Sequence, residues 1–538
     1  MLQFASIMPS KVWKVLPQQS DDLITQLLIN RGLKNKEDIE KFFNPKLEDF
    51  KKEIDIPNIS KAQARIKKAI ENQELIVVFG DYDVDGICAS AILYKALTIL
   101  GAKVLPYIPH REKEGYGLSK LGLEFARDSG ASVVITVDNG IVAIEQAKFA
   151  KEIGLDLIIT DHHIPLDEKP DAFTIVHSTL MCGAGVAWCL IQELISEELR
   201  KDLLQFVAVA TICDMIPLQG LARAFVKEGI KSLNRSKNLG FINLSLECSI
   251  DLTKAGSYEI GHILGPRLNA IGRLEHAIDA LRLLCTKDPI KARTLAKLLC
   301  DTNSKRQRLT EQGIEEAKLL VGENSSKKIH VLSSSEWSPG IIGLIAARVT
   351  EEYYRPAIAM SVGELYAKGS ARSIDGINIV EVIRQCSDIL IDVGGHKGAA
   401  GFSIAVEQIE VFKQRIEKLM DDQPDEIERV LEIEAEVPVK SLTKTLVKEL
   451  EKFAPFGFQN QRPVFATRLM RISDIRTLSE GKHLKFRADG IDSIAFGMGD
   501  IADLVKSAEL IDLAYYLEIN EFRGEQNLQL KVKDIRLN

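Results

Sequence analysis

The chain has 538 residues, and at roughly 100–200 residues per domain this length predicts several domains rather than one compact core. Hydrophobic residues make up 46% and charged residues 27%, a balance that excludes a mainly disordered or fibrous protein. The formal net charge of −7 gives no overall attraction for nucleic acid, so any such binding has to come from a local basic surface.

Two further features narrow the class of protein. No apolar run reaches the roughly 20 residues that span a bilayer, and residues 1–19 lack the basic start and apolar core of a secretory signal. The eight cysteines are scattered without a C-x-x-C pair, which favours buried free thiols over zinc or redox chemistry. We therefore expect a cytoplasmic protein that does not bind a membrane.

The first half of the chain predicts an α/β domain. After an N-terminal helical extension over residues 1–70, short β-branched runs alternate with helical stretches, which is typical of a parallel βαβ sheet within residues 71–286. The strands are nearly continuously apolar, so we expect both of their faces to be buried. The predicted strands are Leu75–Phe79, Lys103–Tyr107, Ser132–Val137 and Asp156–Thr160. The predicted helices are Ile87–Leu100, Val142–Ile153 and Gly185–Leu199.

Three carboxylates, Asp81, Asp83 and Asp85, follow the first of these strands. They repel one another unless a cation offsets their charge, so a metal site is the economical interpretation. An EF-hand loop begins in the same way but requires glutamate at its twelfth position, where this chain has Ile92, and a calcium loop is thereby excluded. A helix cap near Ile87 would explain one of the three carboxylates but not the others.

Further acidic and imidazole side chains follow the later strands. Asp138 and the triplet Asp161-His162-His163 each come directly after a strand, and Asp214 ends an apolar helical run. Asp138 alone could equally be a helix cap, but it occupies a position equivalent to that of Asp83. Ligands of open α/β sheets bind at this edge. Together the groups predict an oxygen-rich site for a pair of Mn²⁺ or Mg²⁺ ions, suited to phosphoester hydrolysis.

A long helix is predicted between two domains. Asp288-Pro289 offers an N-cap followed by proline at the first helical position, and the apolar pattern beyond it predicts a connecting helix within residues 287–325. The overlapping stretch Arg267–Arg308 holds ten Lys or Arg and four acidic residues. This basic excess is either a solvated helix face or a surface for an acidic ligand.

The remaining C-terminal part predicts two further domains. A second α/β unit is expected over residues 326–420, with glycine-rich turns at Gly369-Ser370 and Gly394-Gly395. An acidic linker is expected at Asp421–Glu428. Short strands then indicate a small five- or six-stranded barrel over residues 425–538.

Motifs along nearly the whole chain resemble the DHH phosphoesterase family, and most closely its RecJ branch. In chain order they are VVFGDYDVDG (Val77–Gly86), TVDNG (Thr136–Gly140), TDHH (Thr160–His163), ATICDMIPL (Ala210–Leu218), GPRLNAIGR (Gly265–Arg273), GSARS (Gly369–Ser373), GGHKGAAG (Gly394–Gly401), PFGFQNQRPVF (Pro455–Phe465) and NEFRGEQNLQLKVKDI (Asn520–Ile535). The resemblance implies an α/β fold with a parallel-sheet DHH domain, a long connecting helix, a second α/β DHH-associated domain and a C-terminal OB-fold β-barrel.

The resemblance also implies roles for individual residues. It makes five side chains the metal ligands: Asp83, Asp85, Asp138, His162 and Asp214. Asp138 would bridge the two ions, and His163 would contact the scissile phosphate. Asp81 and Asp161 would be supporting carboxylates. Five residues would hold phosphate oxygens, namely Ser370, Arg372 and His396, assisted by Asn269 and Arg273.

Three positions depart from the pattern of the family. Some members have a metal-binding histidine where this chain has Phe79, so one ion is expected to bind weakly here. If this position faces the metals, Phe79→His should lower the Mn²⁺ concentration needed for half-maximal activity. If Phe79 is simply part of the buried packing, the variant should lose stability and gain nothing. RecJ proteins often read W-H-P-G where this chain has Trp337–Gly340, with serine for histidine. The segment after His163 is short, with Val176–Ser178 where Asn-Pro is usual.

The activity implied by the resemblance is a metal-dependent exonuclease that degrades single-stranded DNA from 5′ to 3′ into 5′-mononucleotides, in DNA repair and recombination. Its cofactors would be two Mn²⁺ or Mg²⁺ ions. A phosphodiesterase for short oligonucleotides or cyclic dinucleotides is an alternative, against which the barrel argues because such barrels track long strands. An inactive replication scaffold is another, against which the intact acidic motifs argue. The implied partners are single-stranded DNA, a single-strand-binding protein and a helicase, with the protein itself a monomer.

Overall fold

The computed structural model describes residues 11–111, 114, 115, 117–322, 326–424, 427–522 and 524–537. The strands within these residues are β1 (Val12–Val15), β2 (Leu75–Gly80), β3 (Lys103–Tyr107), β4 (Ala131–Val137), β5 (Asp156–Asp161), β6 (Thr174–His177), β7 (His330–Ser334), β8 (Ala357–Val362), β9 (Tyr366–Arg372), β10 (Leu390–His396), β11 (Ala399–Ala405), β12 (Val430–Ile433), β13 (Ala435–Glu436), β14 (Phe465–Leu478), β15 (His483–Ala488), β16 (Ile491–Ala495), β17 (Leu510–Phe522) and β18 (Glu525–Leu537).

The α-helices of the same residues are α1 (Leu23–Asn30), α2 (Lys36–Phe43), α3 (Lys51–Ile54), α4 (Ile59–Glu71), α5 (Val84–Ile99), α6 (Lys120–Asp128), α7 (Ile144–Glu152), α8 (Gly183–Ile191), α9 (Glu197–Cys213), α10 (Gly220–Leu233), α11 (Leu239–Glu247), α12 (Gly265–Leu274), α13 (Ile278–Cys285), α14 (Pro289–Val321), α15 (Ile342–Tyr353), α16 (Ile379–Arg384), α17 (Ile409–Leu419), α18 (Lys444–Glu451) and α19 (Ala502–Ser507). A π-helix, Glu259–Leu264, precedes α12 directly. In the described part of the chain, every helix is too short or too polar to cross a bilayer.

One unit of the structure comprises residues 40–309 and 455–460. Its sheet is parallel throughout, with strand order β3-β2-β4-β5-β6. The chain passes from β2 to the edge strand β3 and returns to β4 on the other side of β2, so the strand order reverses between β2 and β4. Open α/β sheets bind ligands at the carboxyl ends of the strands that flank such a reversal. The predicted parallel α/β fold is therefore confirmed.

Helices cover both faces of this sheet because its central strands are apolar on both sides. Ile76 and Val78 of β2 belong to one buried cluster, whereas Val77 and Phe79 belong to a second cluster on the opposite face. The prediction of two buried faces is wrong for β3, whose residues are exposed or half-buried. The reason is that β3 is the edge strand and has a neighbour on one side only.

The predicted helix Gly185–Leu199 is in fact two helices. α8 ends at Ile191 and α9 begins at Glu197. Ser196 lies in extended conformation before α9, and its Oγ accepts a hydrogen bond from the backbone amide of Leu199 at 3.3 Å. Ser196 is thus an N-cap that starts a new helix, a local signal that the continuous apolar pattern concealed.

The connecting helix is present as α14, and Asp288 caps it as predicted. Oδ1 of Asp288 accepts hydrogen bonds from the amides of Ile290 and Lys291 at 2.8 and 3.3 Å. Residues of α14 up to Leu309 belong to the unit described above, and those from Thr310 belong to the second unit.

The second unit comprises residues 1–39, 310–454 and 461–538. One of its sheets has the order β10-β11-β9-β8-β7, in which β7 and β8 are parallel and the other neighbours are antiparallel. The predicted turns at Gly369-Ser370 and Gly394-Gly395 are wrong, because these residues lie inside β9 and β10. Gly369 is needed for packing: a Cβ there would lie 2.1 Å from the ring of Phe402.

The second unit also contains the predicted barrel. Five strands, β14, β15, β16, β18 and β17, close into a ring through the pairing of β14 with β17, and β13 extends the sheet beside β14. β12 instead pairs in parallel with the N-terminal strand β1. The expected linker Asp421–Glu428 includes residues 425 and 426, which lie outside the described residues, and the rest of it is turn or irregular.

Candidate metal centre

The first residues of the site lie in the short connection between β2 and α5. A Cβ on Gly86 would lie 2.6 Å from the backbone nitrogen and oxygen of Asp81, so only glycine allows the helix to start this close to the strand. Asp83 is the N-cap of α5, and its Oδ1 accepts a hydrogen bond from the amide of Gly86 at 3.0 Å. One of the three carboxylates therefore does cap the helix, and Asp81 and Asp85 need another explanation.

Asp85 is buried at the N-terminus of α8. Its Oδ2 accepts a hydrogen bond from the amide of Gly183 at 2.6 Å, and its Oδ1 accepts one from Ala184 at 2.7 Å. Burial, followed by the charge of Asp83, raises the pKa of Asp85 to about 7 despite these amides. Backbone donors thus hold the carboxylate in place, but the raised pKa shows that they do not fully offset its negative charge.

Asp138 lies at the end of β4 with a backbone φ of +64°. Aspartate tolerates this left-handed conformation better than most residues. Its amide donates to the carbonyl of Thr160 at 3.0 Å, which ties it to β5. A Cβ on Gly183 would lie 2.6 Å from Cβ of Asp138, so the start of α8 packs directly against this residue.

The triplet Asp161-His162-His163 is held by hydrogen bonds, most of which Asp161 accepts. Oδ1 of Asp161 accepts hydrogen bonds from the amides of His162 and His163 and from Nδ1 of His163, at 2.7, 3.2 and 2.7 Å. Its Oδ2 accepts from the amide of Ile141 at 2.9 Å. Nε2 of His177 donates to the carbonyl of His163 at 2.7 Å, so a residue of the shortened segment after His163 supports the loop.

His162 is the centre of the cluster. Its buried Nε2 lies 3.1 Å from Oδ1 of Asp138, 3.6 Å from Oδ2 of Asp85 and 3.5 Å from Oδ2 of Asp214. Asp214 is the C-cap residue of α9, so three separate segments converge on one imidazole nitrogen. Among the described residues this nitrogen has no hydrogen-bond partner, and neither has the buried Oδ1 of Asp81.

The electrostatics of the cluster call for a cation. Burial and the neighbouring carboxylates raise the pKa of Asp214 to about 8 and the pKa values of Asp81 and Asp138 well above the ordinary range. Burial, assisted by His163, lowers the pKa of His162 to about 4, so this imidazole is neutral at pH 7. Burial alone would lower the pKa of His163, but the hydrogen bond and charge of Asp161 raise it to about 9.

These residues fit a metal ion on the chemistry of their donors. Three groups of ligand atoms lie within 4.8 Å of one another: Asp138, His162 and His163; Asp85, His162 and Asp214; and Asp81, Asp83 and Asp138. Asp138 and His162 each belong to two groups. Carboxylate oxygens and a neutral imidazole suit Mn²⁺ or Mg²⁺. Asp161 belongs to none of these groups, because both of its oxygens are taken up by hydrogen bonds.

A cavity of about 310 Å³ opens beside the cluster and is lined by Asp81, Asp83, Arg111, Asn269 and Arg273, among others. The structure therefore brings Asn269 and Arg273 next to the acidic residues. Oδ1 of Asn269 accepts a hydrogen bond from the amide of Val84 at 3.1 Å, which ties α12 to the start of α5. Arg111 is a cavity residue that sequence reasoning missed, although it follows a strand end and lies in a charged run. Its guanidinium lies 4.9 Å from the ring centre of Tyr82.

Phe79 points away from the metal cluster. It is fully buried in the cluster of the opposite sheet face, with its ring 4.9 Å from that of Tyr107. A Cβ on Gly122 would lie 2.3 Å from the same ring, so the space around Phe79 is full. Of the two interpretations of this position, the structure supports buried packing.

The other predicted phosphate-binding residues lie in the second unit. Nη1 of Arg372 donates to Oγ of Ser370 at 3.2 Å and to the carbonyl of Ala371 at 2.8 Å. Arg372 on β9 and His396 on β10 both pair with Ala399 of the intervening strand, so they lie two strand spacings apart, about 10 Å. A Cβ on Gly343 would lie 3.0 Å from Nη2 of Arg372, so the start of α15 packs against the guanidinium.

Two sequence features have plain structural outcomes. Ser338, in place of the usual histidine, lies beside Trp337, whose Nε1 donates to Oε2 of Glu316 at 2.8 Å. In the stretch Arg267–Arg308 most of the basic side chains are exposed, whereas Arg267, Arg273 and Arg306 are half-buried. A cavity of about 150 Å³ is lined by Arg273 and Arg306 together with Cys213 and Asn269.

Comparisons with known proteins agree with this architecture. Three family models match: the DHH family N-terminal domain over residues 75–211, the DHHA1 domain over 326–422 and the RecJ OB domain over 433–534. The chain is 34% identical to the single-stranded-DNA-specific exonuclease RecJ of Bacillus subtilis, over 95% of this chain and 67% of that protein.

Solved structures show the same similarity. A crystal structure of RecJ from Thermus thermophilus in complex with Mn²⁺ has a TM-score of 0.85 at 30% identity and covers 98% of this chain and 79% of that chain. A second structure of the same protein in complex with Mg²⁺ has a TM-score of 0.78 at 28% identity, with 98% and 78% covered. With the domain order, the acidic cluster and the sequence identity in agreement, the chain belongs to the RecJ family.

Proposed function

We propose that this protein is a metal-dependent exonuclease that degrades single-stranded DNA from 5′ to 3′ and releases 5′-mononucleotides. The observation that carries the proposal is the position of His162, whose Nε2 lies within 3.6 Å of carboxylate oxygens of Asp85, Asp138 and Asp214. Relatives of this chain are named as single-stranded-DNA-specific exonucleases and are known with Mn²⁺ or Mg²⁺ bound.

Five residues would hold the metal ions: Asp83, Asp85, Asp138, His162 and Asp214. Asp138 would be shared between the ions, which accords with its membership of two ligand groups. Asp81, whose Oδ1 is buried without a hydrogen bond among the described residues, would support the same site. Bound Mn²⁺ or Mg²⁺ would supply charge stabilisation at the phosphoryl oxygens and a water of lowered pKa.

The remaining residues of the site would position the phosphodiester. Asp161 orients His163 through the hydrogen bond to Nδ1, and it holds the pKa of His163 at about 9, so His163 carries a proton at pH 7. The side chain of His163 is 42% exposed and can donate to a phosphate oxygen. Arg273 and Asn269 line the adjacent cavity, where a guanidinium would bind a phosphate of the strand.

Ser370, Arg372 and His396 of the second unit would bind further phosphates. The arginine is held by Ser370 and by the start of α15, and His396 lies on the same end of the sheet. A guanidinium with fixed orientation binds phosphate more selectively than a flexible ammonium group. We include all three in the proposed substrate path.

The decisive experiment is digestion of labelled DNA in the presence of Mn²⁺, Mg²⁺ or EDTA. The 5′-labelled single strand should release its label as mononucleotide at once, the 3′-labelled strand should yield a ladder, and duplex DNA and all EDTA reactions should remain intact. Immediate release of the 3′ label would overturn the proposed polarity.

The same assay separates the alternatives. A phosphodiesterase for short oligonucleotides would lose activity as the strand grows longer, whereas the proposed enzyme should retain it. An inactive scaffold would show no metal-dependent turnover on any substrate. In the cell we propose a cytoplasmic monomer that acts where a helicase exposes single strands and where a single-strand-binding protein covers them, which accords with relatives named for a DNA substrate.

A further inference from the structure

An exposed aromatic pair lies one turn before α12. The rings of Tyr258 and His262 are stacked, with centroids 4.6 Å apart and an angle of 17° between their planes. Tyr258 directly precedes the π-helix Glu259–Leu264, and His262 follows it by four residues, a spacing that places two helical side chains on the same face, one above the other. Nδ1 of His262 lies 3.3 Å from the carbonyl oxygen of Tyr258, which fixes the imidazole.

The pair is open to solvent on its outer side. Tyr258 is 58% exposed although His262 covers one face of its ring, so the opposite face is available to a ligand. Single π-turns inside α-helices are found frequently at functional sites. No metal ligand or phosphate-binding residue proposed above lies on this turn, so the turn has no role yet.

The same turn forms the wall of a basic cavity. Gly261 and Gly265 line the cavity of about 150 Å³ that also contains Arg273 and Arg306. A Cβ on Gly265 would lie 2.4 Å from Sγ of Cys213, so the turn packs tightly against the end of α9, next to Asp214. The turn that carries the aromatic pair thus borders a pocket with two guanidinium groups through its glycines, and the rings themselves do not line the pocket.

This pocket is continuous in its lining with the metal centre. Cys213, Asn269 and Arg273 line both this cavity and the larger one that reaches Asp81 and Asp83. The acidic cluster, the two arginines and the turn that carries Tyr258 thus adjoin one another within this unit. Alternating cationic groups and open aromatic faces are what single-stranded nucleic acid requires, since phosphates bind the cations and bases stack on the rings.

We propose that Tyr258, backed by His262, is a stacking platform for one nucleobase of the single-stranded substrate, whose neighbouring phosphate lies over the cavity of Arg273 and Arg306. This inference rests on the proposed exonuclease function. It assigns a binding residue that touches the substrate away from the scissile bond. Stacking accepts any base, so the platform would hold the strand without selecting its sequence.

The test combines a variant of the protein with a missing base in the DNA. Tyr258→Leu and the wild type are compared on a set of single strands, each with one abasic residue at a successive position from the 5′ end. On intact DNA the variant should show a KM raised about five- to tenfold, the lower part of the range for loss of one stacked base, with kcat for short strands nearly unchanged. At one abasic position the variant and the wild type should have the same KM, because the partner of Tyr258 is gone.

Two further variants make the result specific. Tyr258→Phe keeps the ring and should retain the KM of the wild type. Tyr366→Leu removes an equally exposed tyrosine, 59% exposed, at the far end of β9 from Arg372, and should change nothing. If Tyr258→Leu behaves as the wild type on intact DNA, or if its defect is the same at every abasic position, the platform is refuted. A wild type that fails to digest single-stranded DNA would instead refute the proposed function.

Discussion

Oδ1 of Asp161 lies 2.7 Å from Nδ1 of His163, and the same oxygen also accepts the backbone amides of His162 and His163. With Oδ2 bound to the amide of Ile141, this carboxylate has little capacity left for a metal ion. Its structural effect is to set the ring of His163 at the surface of the site and to keep it charged. We therefore propose that Asp161 acts by positioning His163.

Replacing Asp161 with asparagine should slow the reaction without weakening metal binding. The amide oxygen can still accept the hydrogen bonds made to Oδ1, but the amide nitrogen cannot accept the one from Ile141, and the negative charge that fixes the imidazolium is lost. Hydrogen bonds to charged groups contribute roughly 1.5–3 kcal/mol, so kcat should fall about 10- to 100-fold. The Mn²⁺ concentration for half-maximal rate should stay the same, and the matched control Asp167→Asn, on the exposed part of the loop, should be silent. A marked rise in the Mn²⁺ requirement would show that Asp161 is itself a ligand.

Much of this site could be predicted from the sequence because of one rule about parallel sheets. Polar residues that follow buried strands gather at the carboxyl edge, and Asp81, Asp138 and Asp161 all do so. The hydrogen bonds that Asp85 accepts from the amides of Gly183 and Ala184 could not be predicted, since they depend on where α8 begins. The same is true of Arg111, whose place in the cavity depends on the course of a loop.

Asp138→Asn should abolish hydrolysis and leave the fold intact. Asparagine accepts the positive φ of this position, so the substitution removes charge without backbone strain. Because burial and neighbouring carboxylates raise the pKa of Asp138 far above its ordinary range, loss of the charge should leave the metal-free protein equally or more stable. Mn²⁺ should raise the melting temperature of the wild type but not that of the variant, which thermal unfolding with and without the ion would show.

The alanine variant at the same position is a weaker test. Alanine in the left-handed region costs roughly 1–2 kcal/mol, so Asp138→Ala should lower the melting temperature as well as the activity. Near wild-type hydrolysis by Asp138→Asn would remove Asp138 from the metal site.

Phe79→His should destabilise the protein and gain no metal affinity. The ring packs against Tyr107 in a full pocket on the face of the sheet opposite the metal cluster. A buried imidazole without a partner, together with the lost aromatic packing, should cost about 2–4 kcal/mol, measurable by urea denaturation. Phe79→Leu, which stays apolar, should cost less. A lower Mn²⁺ requirement in Phe79→His would contradict the packing and favour the metal-facing interpretation.

The sequence predicted the barrel, but it did not predict the contacts that β12 and residues 455–460 make with distant parts of the chain. Short strands and turn residues were enough to identify the ring of β14 to β18, since each strand carries its own local pattern. The pairing of β1 with β12 joins residues more than 400 positions apart and has no local signal. The segment 455–460 belongs to the unit of the metal centre, where the carbonyl of Phe458 accepts a hydrogen bond from the amide of Leu218 at 2.9 Å.

These connections decide how the role of the barrel should be tested. Removing all residues from Val430 would leave β1 without its partner strand β12. It would also remove residues 455–460, whose Phe458 carbonyl binds the amide of Leu218 shortly after Asp214. The resulting loss of activity would say nothing about DNA binding. Substitutions on the barrel surface avoid this problem.

Arg476 on β14 and Lys485 on β15 are direct cross-strand partners and line an open cavity of about 480 Å³. The two aspartates of the same cavity, Asp474 and Asp492, are paired with Arg487, at 3.8 and 3.2 Å from its Nε. The like charges of Arg476 and Lys485 repel each other at this spacing, so their proximity favours an anionic ligand such as a DNA phosphate. In the double variant Arg476→Gln, Lys485→Gln, affinity for long single strands should fall while cleavage of very short strands persists. Each lost phosphate contact should flatten the slope of log K against log salt by about 0.7, so two contacts should flatten it by about 1.4. Stability should be unchanged or slightly higher, because the repulsion is removed.

The control Lys506→Gln breaks an exposed pair with Asp503 on α19 and should leave the slope as it is. If the double variant keeps both the affinity and the salt slope of the wild type, this face of the barrel lies outside the DNA path.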